Sequence, residues 1–380
     1  MSFRYGAGIN KPGFNPLAAQ TSTTYFNLYQ WGQNNVGQLG LSNTTNYSSP
    51  KQVSASSFWA GVSLSSDSLA TDSDSFLTIK TDGTLWAWGA NSLGQLGLGN
   101  TTSCSSPTQV GALSAWSSVA NGNTTYAIKT DGTLWAWGYN AFGQVGNGTS
   151  SGLSSPVQIG ALTNWAKASA GDAHAIALKT DGTIWSWGYN GLGGLGLGNT
   201  TNYSSPKQIG ALTTWANVTG CNAYTFAIKT DGTLWAWGYN ASGQLGDGTT
   251  TNRSSPIQVG ALTTWSKIVG GNFYTLAVKT DGTLWAWGAN SLGQLGLGNT
   301  TGYSSPKQVG ALTAWLSIAC GSYFTLATKT DGTLWGWGNN NAGQLGLGNT
   351  TNYSSPKQIG SSTNWSGISA GAGFSVAFQS

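Results

Sequence analysis

The 380-residue chain holds a single histidine, and it stands two residues after an aspartate, in Asp172-Ala-His174. A His–Asp couple can activate a serine nucleophile, and serines are plentiful, but the three groups must be held in line. With one histidine and no glutamate, general acid–base chemistry has little to work with. The stretch Gly94-Gln-Leu-Gly97-Leu-Gly99 has the glycine content of a phosphate-binding loop. It lacks the Lys-Ser/Thr that would complete such a loop, and it recurs along the chain. Asp67, Asp72 and Asp74 fall in a Ser-rich insertion, yet their spacing matches no calcium loop. Cys104, Cys221 and Cys320 show no metal-ligand spacing, and an odd count favours free thiols. No catalytic residue, metal or cofactor is expected.

These residues are set in a repeat. The phrase Lys-Thr-Asp-Gly-Thr-Leu-Trp-Ala-Trp-Gly, or a close variant, begins at residues 80, 129, 179, 229, 279 and 329, and a degenerate copy ends in Trp31-Gly32. The second Trp precedes a proline by 19 residues in all seven copies, from Trp31 and Pro50 to Trp337 and Pro356, and a further Trp follows each proline by nine. This template uses all 20 tryptophans, so no Trp is left over for ligand stacking. The interval from that further Trp to the next Lys is usually 14 residues; between Trp59 and Lys80 it is 21. A period of about 50 residues marks a repeat architecture.

Each unit reads as four short strands. In the third, the strands are predicted at 165–171, 173–179 and 183–188, with a last short one after Pro206. Asp181-Gly182 suits a hairpin turn, and Trp185 and Trp187, two apart, share one strand face. Four-stranded sheets repeated radially make a β-propeller. Each Trp can bury roughly 150–250 Å² between neighbouring sheets. The final unit stops at Gln379 and Ser380, almost where residues 25–32 take up the template. The expected fold is therefore all-β: a seven-bladed β-propeller over residues 24–380, its last blade shared between the N- and C-termini. Such a ring leaves few strand edges exposed.

Composition narrows the function. Charged residues are 7% of the chain and the net charge is +4, with the lysines mostly one per repeat, so no basic patch for nucleic acid stands out. No apolar run is long enough to span a membrane, and the N-terminus has no signal-peptide core. Neither nucleic-acid binding nor membrane insertion is expected.

Gly-x-Asn-x-x-Gly-Gln-Leu-Gly, as in residues 89–97, together with Asp-Gly-x-Leu-Trp-x-Trp-Gly, resembles the regulator of chromosome condensation repeat family. The resemblance covers residues 24–380 and implies a seven-bladed propeller used as a binding platform. Members include a nuclear guanine-nucleotide exchange factor for the small GTPase Ran, domains of ubiquitin ligases and a bacterial inhibitor of β-lactamases. Related repeats occur in phage structural proteins. The family pattern often places His in Gly-x-x-His-Ser/Thr; this chain keeps it once, at His174, with Tyr224, Tyr274 or Phe324 elsewhere. The resemblance thus implies that His174 fills a framework slot of the family before it is a catalytic position.

Function is sought in what does not recur. The turns between the first two strands vary, and in a propeller they gather on one face around the central channel. Asp172, His174, Asn222, Tyr224, Asn272, Phe273, Tyr274, Tyr323, Phe324 and Phe374 are the expected binding residues of that face, although strand alternation must turn some of the aromatics inward. Residues 1–23 match nothing in the template, and Phe3, Arg4, Tyr5, Ile9 and Phe14 are expected to dock an extended arm on a partner. The expectation is a non-enzymatic structural or adhesive propeller of a phage virion, made in the host cytoplasm. Its arm would hold another virion protein, and its variable face a host-surface glycan or protein. The alternative is a cytoplasmic, cellular protein-binding module of the exchange-factor or inhibitor type.

Overall fold

In the third unit, strands Trp165–Ala170, His174–Lys179, Ile184–Gly188 and Tyr203–Gln208 pair in that order as an antiparallel sheet. A computed structural model of the chain describes residues 26–54, 59 and 74–380, and it repeats this sheet as the seven blades of a ring. In the six blades whose first strand is described, that strand is the innermost and packs against the innermost strand of a neighbouring blade. In the first blade three strands lie among the described residues, and Trp59 bridges Lys80 where the inner strand of other blades begins. The expected strand after Pro206 starts earlier and contains the proline. It is the outermost strand, where a missing N–H breaks no ladder, and its pairing with Ile184–Gly188 is irregular across that stretch.

The last blade closes the ring as expected. Phe374–Gln379 pairs with Asn27–Gly32 in continuous register, from Asn27 opposite Gln379 to Gly32 opposite Phe374. The Trp31 indole Nε1 then donates to the Gln344 carbonyl of the sixth blade at 2.9 Å. Residues far apart in sequence are thereby joined by both a strand ladder and a side-chain bond.

The core lies between blades. One cluster joins Tyr224, Phe226 and Leu234 of the fourth blade to Trp265 and Trp287 of the fifth. The glycine loop is part of this contact and not a phosphate cradle. Asn240 folds the loop onto itself: its Oδ1 accepts from Leu245 N, and its Nδ2 donates to the carbonyls of Thr249 and Thr251. Gly246, at φ +79°, then lies against the next blade's Trp287, where a Cβ would come within 2.7 Å of the indole nitrogen.

The opening phrase also acts structurally. Asp281 Oδ1 accepts from the amide and hydroxyl of Thr283, which holds the carboxylate pKa below its ordinary value, and the Thr283 hydroxyl accepts from Trp285 Nε1 at 2.9 Å. Lys279 does not project from a solvated rim. Its ammonium sits 3.7 Å from the centre of the Trp285 ring and 5.1 Å from that of Trp265, a cation–π cage repeated in six blades.

Candidate functional site

The turns between inner and second strands meet around one mouth of the central channel and are tied blade to blade. Asn123 Nδ2 donates to Asp172 Oδ1 at 2.7 Å, and Asp172 N donates to Asn222 O at 3.0 Å. Further round, Asn272 N donates to Ser322 O and Ser322 N to Ala372 O. Polar side chains at these positions thus sit on a ring of backbone that the fold holds still. A rigid platform of this kind lowers the ordering cost of binding.

The expected binding residues separate into two sets. Asp172, Asn222, Phe273 and Tyr323 are half-buried at the mouth, while Asn272 is almost covered. His174, Tyr224, Tyr274, Phe324 and Phe374 are buried and present no surface to a partner. All five occupy one slot, the first residue of the second strand, whose side chain crosses into the next blade. Tyr224 OH donates to the Gly271 and Tyr274 carbonyls at 2.9 and 2.7 Å; Tyr274 OH repeats this with Gly321 and Phe324. Period-2 alternation sends their neighbours Phe273 and Tyr323 outward.

His174 fills the same slot. Its Nε2 is 2.8 Å from the Thr225 hydroxyl, which itself donates to the Gly194 carbonyl, so the histidine carries its proton on Nε2. Burial lowers its pKa to about 4, leaving it neutral. The His174 ring is thus turned away from the mouth where Asp172 holds Asn123, and the sequence pair does not form a catalytic couple. Cys221 and Cys320 are buried free thiols whose pKa values burial raises. Among the described residues, no group of three or more His, Cys, Asp or Glu is placed to hold a metal ion. The arm residues Phe3, Arg4, Tyr5, Ile9 and Phe14, with Asp67 and Asp72, lie outside the described residues.

Four aromatics of this face were not anticipated. Tyr139, Tyr189 and Tyr239 directly follow the Trp-Gly of the repeated phrase, and each backbone N–H bonds to a turn residue, Asn123, Ala173 or Ala223. The Phe142 ring, 39% exposed, lies 6.2 Å from Tyr139 and 5.0 Å from Tyr189, and Tyr239 lies 5.9 Å from Phe273. These are two aromatic groups on this face, one of Tyr139, Phe142 and Tyr189 and one of Tyr239 and Phe273. A shallow groove of about 360 Å³ is lined by Tyr139, Leu93 and Leu153. The signal was present in the sequence: the residue after Trp-Gly is Tyr in three units but Gln33, Ala90, Ala289 or Asn339 in the others.

The opposite face, at the Asp-Gly turns, is different. It carries Leu113, Leu162, Leu212, Leu262, Leu312 and Leu316, 40–51% exposed, and exposed aspartates of the repeated phrase beside the caged lysines.

Comparison with known proteins places this geometry. The family model of the RCC1-like domain matches residues 123–377, and that of the regulator of chromosome condensation (RCC1) repeat matches residues 27–69 and 82–127. Protein RCC2 of Mus musculus is 37% identical over 89 residues, which are 23% of this chain and 16% of that protein. A bifunctional serine/threonine-protein kinase/NEDD4-like E3 ubiquitin-protein ligase of Dictyostelium discoideum is 40% identical over 79 residues, 21% of this chain and 4% of that protein. The chain therefore spans only a small part of the curated relatives it matches. Human WBSCR16 superposes with a TM-score of 0.82 at 19% identity, over 94% of this chain and 99% of the other. Prp20p of Saccharomyces cerevisiae, characterised for binding to Gsp1p and histones, gives 0.82 at 18%, over 94% and 92%. These two likenesses establish the fold.

The comparisons overturn the virion expectation. The relatives are cellular proteins of mouse, human and a social amoeba, and the solved structures include a yeast protein bound to Kap60. The expected virion partner for the arm and host-surface ligand for the face fall with it, since the neighbours' own partners are Gsp1p and histones for Prp20p and Kap60 for yeast RCC1. No helix among the described residues is long and apolar enough to cross a membrane.

Proposed function

The chain belongs to the RCC1-like domain family, and from that premise we propose that it is a cellular protein-binding module whose turn face is the recognition surface. One observation carries this reading. Tyr139, Tyr189 and Tyr239 occupy a position that Ala90 and Ala289 fill in other blades, so the fold does not require an aromatic there. Tyrosine with a clustered Phe on a rigid polar ring is the composition of a protein contact surface. The module acts by binding, without covalent chemistry of its own, since its one imidazole is committed to Thr225.

Affinity capture from cells tests the proposal. Wild-type chain is expected to retain a defined protein that a Phe142→Ala/Tyr189→Ala variant with unchanged circular dichroism loses. Capture that is indifferent to the double variant would remove the turn face from consideration. The kinds of partner to try first follow from Prp20p: a small GTPase with a nucleotide-release readout, and histones.

A further inference from the structure

We propose that the turn face binds an extended segment of a partner protein through a side-chain carboxamide, of glutamine or asparagine, seated in a notch at Gly194 between the third and fourth blades. This deepens, and rests on, the reading of that face as the recognition surface. The first argument is a missing side chain. In six units the glycine of Asn-x-x-Gly is followed by glutamine, whose Oε1 accepts from the backbone N–H two residues back. Gln144 thus holds Phe142 N at 2.9 Å, and Gln244 holds Ser242 N at 3.0 Å. The third unit has Gly194 instead, so the Leu192 N–H lacks the acceptor that its six counterparts have. The fold does not call for a glycine there. Gly194 has no left-handed φ, and its missing Cβ would point at the next blade's turn, 3.2 Å from the Ala223 carbonyl. Ala223 is itself small, where the matching turn residues of other blades include Asn123, Phe273 and Tyr323. Both walls of this seam are cut back. Gly191 is exposed at its rim, and Leu192 and Ala223 are half-buried.

The second argument identifies the occupant. The six intact seams show what this part of the fold accepts, a carboxamide whose oxygen takes the N–H. A partner's glutamine offers that oxygen to Leu192 N and keeps two N–H donors for the rim. An apolar side chain would cover the Leu192 N–H and leave it unpaired, and a carboxylate costs far more to bury than a neutral amide. The third argument is the surround, because the notch opens between the two aromatic groups of this face. Tyr189 lies across the loop, where a Cβ on Gly191 would overlap its hydroxyl, and Tyr239 N donates to the Ala223 carbonyl at 3.0 Å. A segment running from Phe142 and Tyr189 toward Tyr239 and Phe273 lays side chains on rings while one carboxamide enters the notch.

Backbone-amide NMR titration of the isotope-labelled full chain tests this with three dodecapeptides, alternating Ser with Gln, with Met or with Glu. The Ser-Gln peptide is expected to shift the Leu192 amide resonance and to leave that of Leu292, which Gln294 already holds, in place. Gly194→Gln fills the notch from within and should weaken binding of the Ser-Gln peptide about tenfold, the loss of one hydrogen bond in a closed site. Ala223→Phe closes the notch from its other wall, as Phe273 stands beside Tyr239, and should do the same even where Gly194→Gln does not fold. Equal shifts of Leu192 with the Met or Glu peptide, no shift with the Gln peptide, or binding unmoved by both variants would overturn the inference. If a cellular protein is still captured through Phe142 and Tyr189 in that event, the notch is wrong and the recognition face stands.

Discussion

The indole Nε1 of Trp287 donates to the backbone carbonyl of Gln244 in the preceding blade at 2.8 Å. The same oxygen accepts from the hydroxyl of Thr275 at 2.9 Å. This double acceptance recurs around the ring: Thr225 and Trp237 meet at Gly194, and Thr325 and Trp337 at Gln294. It explains why the glycine loop and the Trp-x-Trp phrase occur together, since each is one half of a joint between blades.

The joint makes two glycines unequal. Gly246→Ala puts a Cβ against Trp287 and forces a left-handed backbone, and should cost about 2–4 kcal/mol. Gly260, at φ +63°, has nothing within 4 Å of its missing Cβ, so Gly260→Ala carries the backbone term alone, about 1–2 kcal/mol. Thermal midpoints should rank wild type above Gly260→Ala above Gly246→Ala.

The third blade tests whether the second hydroxyl matters. Ala175 stands where the neighbours have Thr, and there Tyr126 OH donates to the Gln144 carbonyl at 2.5 Å, beside Trp187 Nε1. Tyr126→Phe is expected to cost about 1 kcal/mol. Adding Ala175→Thr should recover part of the loss. Denaturation of the two single variants and the double closes a cycle whose coupling should be favourable.

The buried histidine sets a pH dependence. His174 is neutral in the folded chain, with a pKa lowered to about 4 by burial, against an ordinary value of 6.5. The unfolded chain gains the proton first as pH falls. Stability from this group is therefore complete above pH 6.5 and is lost progressively down to about pH 4, reaching about 2 kcal/mol at pH 5. His174→Tyr, the residue of the two following blades, should flatten the pH 5–7 limb of a urea-midpoint profile.

The cage around Lys279 should hold its own share of stability. Gln379 takes the lysine's place in the closing blade, where it donates to Ser362 and Asn364, and Tyr29 packs against Trp365 in place of a second Trp. Lys279→Gln lacks those partners and is expected to lower stability by about 1 kcal/mol in thermal denaturation.

Blade number, the split closing blade and the Trp-lined joints were legible in the sequence, because Trp and Pro recur at fixed offsets and the two ends complete one unit. The binding face was legible only in part. Phe273-Tyr274 and Tyr323-Phe324 are adjacent aromatics, and which member turns inward depends on pairing across the sheet: Tyr274 lies opposite Gly288 and Phe324 opposite Gly338. Tyr139, Tyr189 and Tyr239 went unread because they abut the most repeated phrase of the chain. The lysine cages were not legible, since sequence spacing alone does not bring Trp265 to Lys279; the antiparallel register does.

Site-specific photo-crosslinking in cells tests the recognition face most directly. A benzoylphenylalanine at position 189 samples the turn face, and one at position 262 samples the exposed leucines of the other. The expected result is a discrete protein adduct from position 189 that is absent from position 262. An adduct from position 262 alone would place recognition on the leucine face and contradict the proposed function.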